Sequence, residues 1–412
     1  MSKFFIKTFG CQMNVYTSDY LRSLLLSSLS ETDNPKEADF IFINTCDVRE
    51  KVRHKIYSFI GYVNKVKKKD AKVYVIGCLA QVDKENIKRR FNPYLVGLYD
   101  REEELQDIAS SIRENVKRKK LKRISAYLPI IYGCDHFCSY CIVPYARGRE
   151  KSKPLERVIK EAKFLFDSGT REIILIGQNV NDYGKDLGLK GGFIEVVKRI
   201  SEVGFIRVGF LTSHPKNFKL EWIDEMKSIP NLLSMFHLPL QSGSNKVLKL
   251  MRRGYTREKF RELVEKVRKV FPDAMLSTDI MVGFPGEEEK DFMDTIDLVK
   301  DVEFDRAFMF MYSKRPNTSY YNISDTVSHE EKLNRLKFLI EVQDRITLKR
   351  YKSFIGKEVE VLVENVKDGK GIGKEKGGRV VIIEDVEKES AGKLMKVKVY
   401  DANIRELFGR KL

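Results

Sequence analysis

The sequence has no long apolar stretch. Its longest apolar runs, such as Ile173 to Ile176, fall far short of the roughly 20 residues that cross a bilayer. The N-terminus, MSKFFIKTFG, lacks an apolar h-region followed by a small-residue cleavage site, so no secretory leader is expected. Repeats and low-complexity tracts are missing too. The single tryptophan, Trp222 in EWIDEM, suits helix packing better than base stacking. Only six cysteines occur in 412 residues. In a reducing cytoplasm, the compartment expected here, they point to ligand or catalytic roles and not to disulfides.

What is present is length and positive charge. A chain of 412 residues exceeds one ordinary core and implies two or three domains. Lys and Arg number 76 against 59 Asp and Glu, a net charge of +17. An excess of this size favours a polyanionic partner, most simply nucleic acid, although a charge-rich surface of a heat-adapted protein has the same composition.

The hydrophobic pattern divides the chain into three α/β and β regions. Residues 1–115 alternate strand-like runs (Phe4 to Phe9, Phe40 to Asn44, Val73 to Ile76) with helix-like ones (Ser18 to Leu29, Glu50 to Lys68), which implies a parallel sheet. Each strand-like run ends near a cysteine: Cys11, Cys46 and Cys78. Residues that act gather beyond the carboxyl ends of such strands, so these three thiols are expected at one edge. A basic linker, KRKKLKR (Lys117 to Arg123), follows. Residues 126–350 hold six strand candidates: Leu128–Tyr132, Glu172–Ile176, Ile206–Leu211, Met235–Leu240, Met275–Val282 and Ala307–Tyr312. They alternate with helices such as the one capped by Thr256, with Phe260, Leu263, Val264, Val267 and Phe271 on one face. This predicts a partial (βα)6 barrel. Residues 353–412 are β-rich and glycine-punctuated, as in a small barrel. Lys357 to Leu412 carries 13 Lys and Arg against 11 Asp and Glu, so the basic excess lies elsewhere.

The first barrel loop reads GCDHFCSYC, with Cys134, Cys138 and Cys141. Structural zinc and ordinary ferredoxin clusters each take four protein ligands. His136 is poorly placed to be the fourth, because it lies inside the motif. Three thiolates on a cubane leave one iron open to chelate a substrate. The loops after the other strands, GQNVNDYG, TSHP, QSGS, GFPGE and YSKRPNT, bring glycines, amides and hydroxyls to the same rim.

CxxxCxxC in this setting resembles the radical S-adenosylmethionine (SAM) superfamily. GCQMN, NTCDVRE, GCLAQ, CIVPYARGREKSKP, HLPLQSGS and GFPGE extend the resemblance, over nearly the whole chain, to the methylthiotransferase family, and DANIRELFGR resembles the end of its RNA-binding TRAM domain. GCQMN and NTCDVRE stand closer to the branch that modifies N6-isopentenyladenosine next to the tRNA anticodon than to two other branches. Those act on threonylcarbamoyl-adenosine or on a ribosomal-protein aspartate. Ser139, Ala146, Lys151, Lys153 and Pro316 depart from the residues frequent in the family. An RNA-binding protein with structural zinc is the alternative of another class.

The resemblance implies two [4Fe–4S] clusters. Cys134, Cys138 and Cys141 would hold the one that cleaves SAM to a 5′-deoxyadenosyl radical. Cys11, Cys46 and Cys78 would hold an auxiliary one whose sulfur a first SAM methylates. SAM is then expected across the strand ends, with Gln178 and Asn179 at its methionine part, Gln241 and Ser242 at the ribose, and Gly283 and Pro285 at the adenine. Arg147 and Arg149 are expected at the SAM carboxylate or an RNA phosphate. The implied partners are the tRNA anticodon stem-loop and an electron donor such as a flavodoxin or ferredoxin. A monomer is expected.

Overall fold

A computed structural model describes residues 2–47 and 50–412; Met1 and the Val48-Arg49 pair of NTCDVRE lie outside the described residues. The first region is a five-stranded, all-parallel sheet in the order β2-β1-β3-β4-β5, formed by β1 (Lys3–Thr8), β2 (Ser30–Glu31), β3 (Phe40–Thr45), β4 (Lys72–Gly77) and β5 (Leu95–Gly97). The edge strands β2 and β5 were not anticipated, because two or three residues are too few to show a period. Strand alternation sorts the core into two layers. Ile41, Ile43, Val73 and Val75 pack on α2 (Glu50–Val66), while Phe42, Tyr74 and Ile76 face α1 (Gln12–Leu25) and, beyond α3 (Cys78–Val82) and α4 (Lys84–Phe91), α5 (Glu102–Ile112).

Helix α1 begins six residues before the expected Ser18. Gly10 at φ +113° turns the chain, and the helical ladder starts at once from the Cys11 carbonyl, which accepts from the amides of Asn14 and Val15. The apolar stripe of Met13, Tyr16, Leu21 and Leu24 then continues without a break.

In the central region the six expected strands are all present: β6 (Ser125–Pro129), continued after a break by the short β7 (Ile131–Tyr132), then β9 (Glu172–Ile176), β10 (Arg207–Phe210), β11 (Met235–His237), β12 (Met275–Val282) and β13 (Arg306–Met311). They form two parallel three-stranded sheets, β6-β9-β10 and β11-β12-β13, joined by one bridge between Val208 and Leu232. An arc with an open side is the geometry of a partial barrel. Its outer helices include α7 (Leu155–Asp167), α8 (Gly192–Ser201), α9 (Leu220–Lys227), α11 (Arg257–Val270), α12 (Glu289–Val302) and the long α13 (His329–Lys352), while the short α6 (Val143–Arg147) and α10 (Asn245–Leu250) lie beside the cysteine loop. The Thr256 side chain accepts from the Lys259 amide and caps α11, and Trp222 is buried against Phe193 and Phe218. Ile173 and Leu175 face the helices. Ile174 and Ile176 point the other way and, with Leu233, pack on Met13 and Tyr16. Helix α1 therefore lies against the concave face and carries Cys11 to the barrel.

The C-terminal region is a closed five-stranded barrel in the order β14-β15-β16-β18-β17. Its strands are β14 (Glu358–Lys367), β15 (Lys370–Glu375), β16 (Val380–Glu384), β17 (Leu394–Ala402) and β18 (Glu406–Lys411); the remaining strand, β8 (Lys151–Ser152), pairs with β7. The small barrel docks under the amino ends of the central strands. Arg207 donates to the carbonyls of Lys374 (2.5 Å) and Glu360 (2.7 Å), and the Ser234 amide to that of Lys376. Arg379, fully buried, pairs with Asp305 (2.6 Å) and Glu375 (3.1 Å). The face bearing the cysteine loop is the opposite one. Among the described residues, no helix is long and apolar enough to cross a membrane.

Candidate functional site

The loop of Cys134, Cys138 and Cys141 leaves the end of β7 and returns through β8, and this antiparallel pair pinches its base. The Cys134 amide donates to the Gly148 carbonyl, and Gly133 packs under the Arg149 carbonyl, where a Cβ would overlap. The Ser139 hydroxyl donates to the Leu250 carbonyl and holds the middle of the loop to α10. His136 turns away from the thiols. Its ring contacts Asp182 (3.1 Å) and Asn179 (2.9 Å) and stacks on His214 at 3.9 Å, so it is no fourth ligand. The thiol of Cys138 accepts from Arg253 Nη1 at 3.3 Å.

Cys11, Cys46 and Cys78 come together at the carboxyl ends of β1, β3 and β4. Two asparagines and a threonine stitch those ends. Asn14 Nδ2 donates to the carbonyls of Phe9 (2.7 Å) and Thr45 (2.9 Å), Asn44 Nδ2 to that of Asn14 (2.9 Å), and Thr45 Oγ1 to that of Ile76 (2.7 Å). Gly10 lies so close to Cys46 that a Cβ there would sit 2.9 Å from its sulfur and overlap its Cβ. Arg147, buried in α6 six residues after Cys141, donates Nε to the Cys78 thiol (3.1 Å) and Nη2 to Asn14 Oδ1 (3.1 Å), and it pairs with Asp100.

The two triplets thus meet across α3 and α6. Burial pushes the Cys78 thiol up to about 11, and Cys11 adds to this; it pushes Cys141 up to about 12, and both Cys138 and Cys78 add to this. Cys134 is raised as well, chiefly by burial. Thiols raised in this way stay protonated and are poor free nucleophiles, and a bound metal would have to displace their protons. Three thiols and one guanidinium donor at each site fit a [4Fe–4S] cubane with one iron left to a ligand.

Two further ties hold the regions in this orientation. Lys153, the departure in KSKP, is buried between Glu102 (2.6 Å) of the N-terminal region and Glu161 (2.9 Å) of α7, with the Tyr16 hydroxyl between the same carboxylates. Asp47, next to Cys46 and fully buried, faces Arg53 (2.9 Å) and Arg315 (3.9 Å) of YSKRPNT.

The residues expected at SAM fall into distinct settings. Gln178 Oε1 accepts from the Gly133 amide (2.7 Å) and props the cysteine loop. Asn179 is buried in the His136–Asp182 network and also accepts from the His214 amide. Gln241, at φ +69°, is buried and its Oε1 has no hydrogen-bond partner. Ser242 is turned toward Thr295 of α12 (3.3 Å). Gly283 gives its amide to Glu287 (2.5 Å), and Pro285 is buried beside it. Arg147 is engaged by Cys78, Asn14 and Asp100, whereas Arg149 is 72% exposed, paired with Asp135 and above the Phe137 ring. Ser213 Oγ and His214 Nε2 are also buried without partners, and burial holds His214 neutral by lowering its pKa. TSHP pointed to this loop, and nothing in the sequence singled out Arg253.

Family models match in three segments: the radical SAM superfamily over residues 128–299, Uncharacterized protein family UPF0004 over 3–97, and the TRAM domain over 352–412. A tRNA-2-methylthio-N(6)-dimethylallyladenosine synthase of Pelotomaculum thermopropionicum is 38% identical, covering 99% of this chain and 97% of the relative. The proteins of that name from Clostridium botulinum strain Okra and Thermotoga petrophila are 40% and 38% identical over 100% and 99% of this chain and 97% and 96% of theirs.

The chain belongs to the tRNA-2-methylthio-N(6)-dimethylallyladenosine synthase family.

As a synthase of this radical SAM family it is an enzyme, and the family's cofactors are SAM and [4Fe–4S] clusters. Among solved structures, the radical SAM methyltransferase TsrM of Kitasatospora setae, with cobalamin and a [4Fe–4S] cluster bound, shares the fold. Its TM-score is 0.57 at 12% identity, covering 78% of this chain and 74% of that one. The cobalamin-dependent SAM radical enzyme OxsB follows at TM-score 0.50 and 14% identity, over 82% of this chain and 56% of the other.

Proposed function

We propose that this protein adds a methylthio group to C2 of N6-isopentenyladenosine beside the anticodon of tRNA. The observation that carries the reading is the meeting of two partly buried three-cysteine sites across α3 and α6, tied by Arg147. Residues 1–115 hold the auxiliary site, 126–350 the SAM site, and 353–412 the TRAM barrel that adds RNA contacts. When bound, the two clusters and SAM supply the radical, the methyl group and the sulfur that no side chain provides at an unactivated C–H bond.

The chain's own residues position these groups. Cys134, Cys138 and Cys141 hold one cluster and Cys11, Cys46 and Cys78 the other. The unpartnered Oε1 of Gln241 would offer SAM a hydrogen-bond acceptor, Gly283 and Pro285 would line its adenine side, and Gln178, Asn179 and Ser242 keep the loops in place. Arg149, with the exposed Lys117, Lys119, Lys120, Lys122 and Arg123, meets RNA phosphates. The protein acts as a cytoplasmic monomer with a flavodoxin or ferredoxin as electron donor.

The test offers the purified, anaerobically reconstituted enzyme tRNA with and without the isopentenyl group, with modified nucleosides read by mass spectrometry. Methylthiolation only of the isopentenylated tRNA is expected, along with about eight irons per chain. Equal activity on both tRNAs would sink the substrate assignment, and zinc with no brown chromophore would sink the enzyme.

A further inference from the structure

Arg253 lies between α10 and α11, is 4% exposed and carries a full charge. Its three donor groups are all engaged: Nη1 with the Cys138 thiol (3.3 Å), Nη2 with the Pro239 carbonyl (2.8 Å) and Nε with the Tyr255 hydroxyl (3.4 Å). None of these partners is a carboxylate, and among the described residues no carboxylate lies within ion-pair distance. Arg147 has Asp100, and Arg379 has Asp305 and Glu375, whereas Arg207, equally buried and also without a carboxylate in ion-pair distance, bonds backbone carbonyls and no thiol. A guanidinium removed from water costs several kcal/mol unless an anion compensates. The candidate counter-ion in reach is the thiolate of Cys138, which exists only when the site holds metal.

We infer that Arg253 is a positioning residue that raises the reduction potential of the cluster held by Cys134, Cys138 and Cys141. The inference rests on that cluster being present. Taking up one electron adds one negative charge to the cluster and no bond changes. A fixed cation bonded to one of its sulfurs favours the reduced form over the oxidised one, and burial leaves the attraction poorly screened. The auxiliary cluster does not share the effect, because Asp100 cancels the charge of Arg147. The two clusters are thereby held at different potentials, and the incoming electron is directed to the one that meets SAM.

The experiment is a redox titration followed by electron paramagnetic resonance on the full-length chain. A Cys11→Ala/Cys46→Ala/Cys78→Ala background restricts the signal to one cluster. Arg253→Gln keeps a donor and removes the charge; Arg253→Lys keeps the charge and loses the fork. Arg253→Gln is expected to lower the reduced-to-oxidised ratio at fixed potential about tenfold, a midpoint shift of about 59 mV downward for one electron. Arg253→Lys is expected to stay near the parent value. An unmoved midpoint in Arg253→Gln with iron retained overturns the inference. A full-sized shift in Arg253→Lys does the same, and it decides the matter if Arg253→Gln loses its iron. A parent chain that binds no iron brings down the cluster reading itself, which is a separate result.

Discussion

The two cysteine triplets are brought together by opposite means. Cys134, Cys138 and Cys141 lie on one loop, and a pinched hairpin base and a few local hydrogen bonds hold them. Cys11, Cys46 and Cys78 come from three strand ends far apart in sequence, held by the sheet and stitched by the side chains of Asn14, Asn44 and Thr45. Their arginines differ too: Arg147 is neutralised by Asp100 and Arg253 is not. A site on one loop depends on local turn geometry, whereas a site at a sheet edge depends on the whole domain.

The largest expected effect separates the two sites outright. Cys134→Ala abolishes formation of 5′-deoxyadenosine from SAM. Cys11→Ala leaves that formation intact and abolishes methylthio transfer. Identical losses in the two assays would mean that the triplets do not serve separate clusters.

Next come the glycines that let each triplet close. Gly10→Ala pushes into Cys46, and Gly133→Ala into the Arg149 carbonyl, so each variant is expected to hold about half the iron of the parent, roughly four irons. Gly148 also has a positive φ (+79°), but a Cβ there meets nothing within 4 Å. Gly148→Ala thus carries only backbone strain, on the order of 1–3 kcal/mol, and retains its iron. Iron analysis that ranked Gly148→Ala with the other two would show that backbone strain, not contact with the ligands, governs assembly.

A smaller effect concerns the tie between the regions. Lys153→Met leaves the buried Glu161 and Glu102 with only the more exposed Arg118 (3.1 Å) and Arg157 (3.7 Å) as cations and is expected to lower stability by about 3 kcal/mol, read by thermal unfolding. Burial opposes ionisation of Glu102, yet Lys153 outweighs it and holds the carboxyl below its usual range. Its contribution is therefore present above the unfolded value of about 4.3 and is lost as pH falls through the lower folded value. The gap between the parent and Lys153→Met should narrow over that acid range; a constant gap would deny the ion pair its role.

The smallest effect is at Arg149, exposed and paired only with a surface aspartate. Arg149→Ala should change stability by no more than about 0.5 kcal/mol. If Arg149 meets a phosphate, the salt dependence of tRNA binding falls by a slope of about one. An unchanged slope removes it from the RNA surface.

Much of this was legible in the sequence because the signals are periodic or locally spaced. The six barrel strands fall where alternating apolar runs lie, Glu172–Ile176 and Met275–Val282 to the residue, and Thr256 caps the helix its sequence announces. Edge strands of two or three residues and the early start of α1 were not legible, since a short strand has no period and a helix start at Cys11 has no side-chain cap to mark it. Arg147 illustrates the limit at the site. Its place in CIVPYARGREKSKP suggested an anion, but a thiol and a carboxylate from another region claim it.

By itself the sequence determined the two sets of three cysteines, one spaced for a loop and one set at strand ends, and a rim of small polar residues at the strand ends. Only the tertiary structure decided that the sets face each other, that Lys153 is an interdomain tie, that the TRAM barrel docks opposite the cysteine face, and that Arg253 stands without a carboxylate. Spacing along a chain fixes contacts a few residues apart. Contacts over a hundred residues apart, such as Arg253 to Cys138, depend on how helices and strands pack, and no local pattern encodes them.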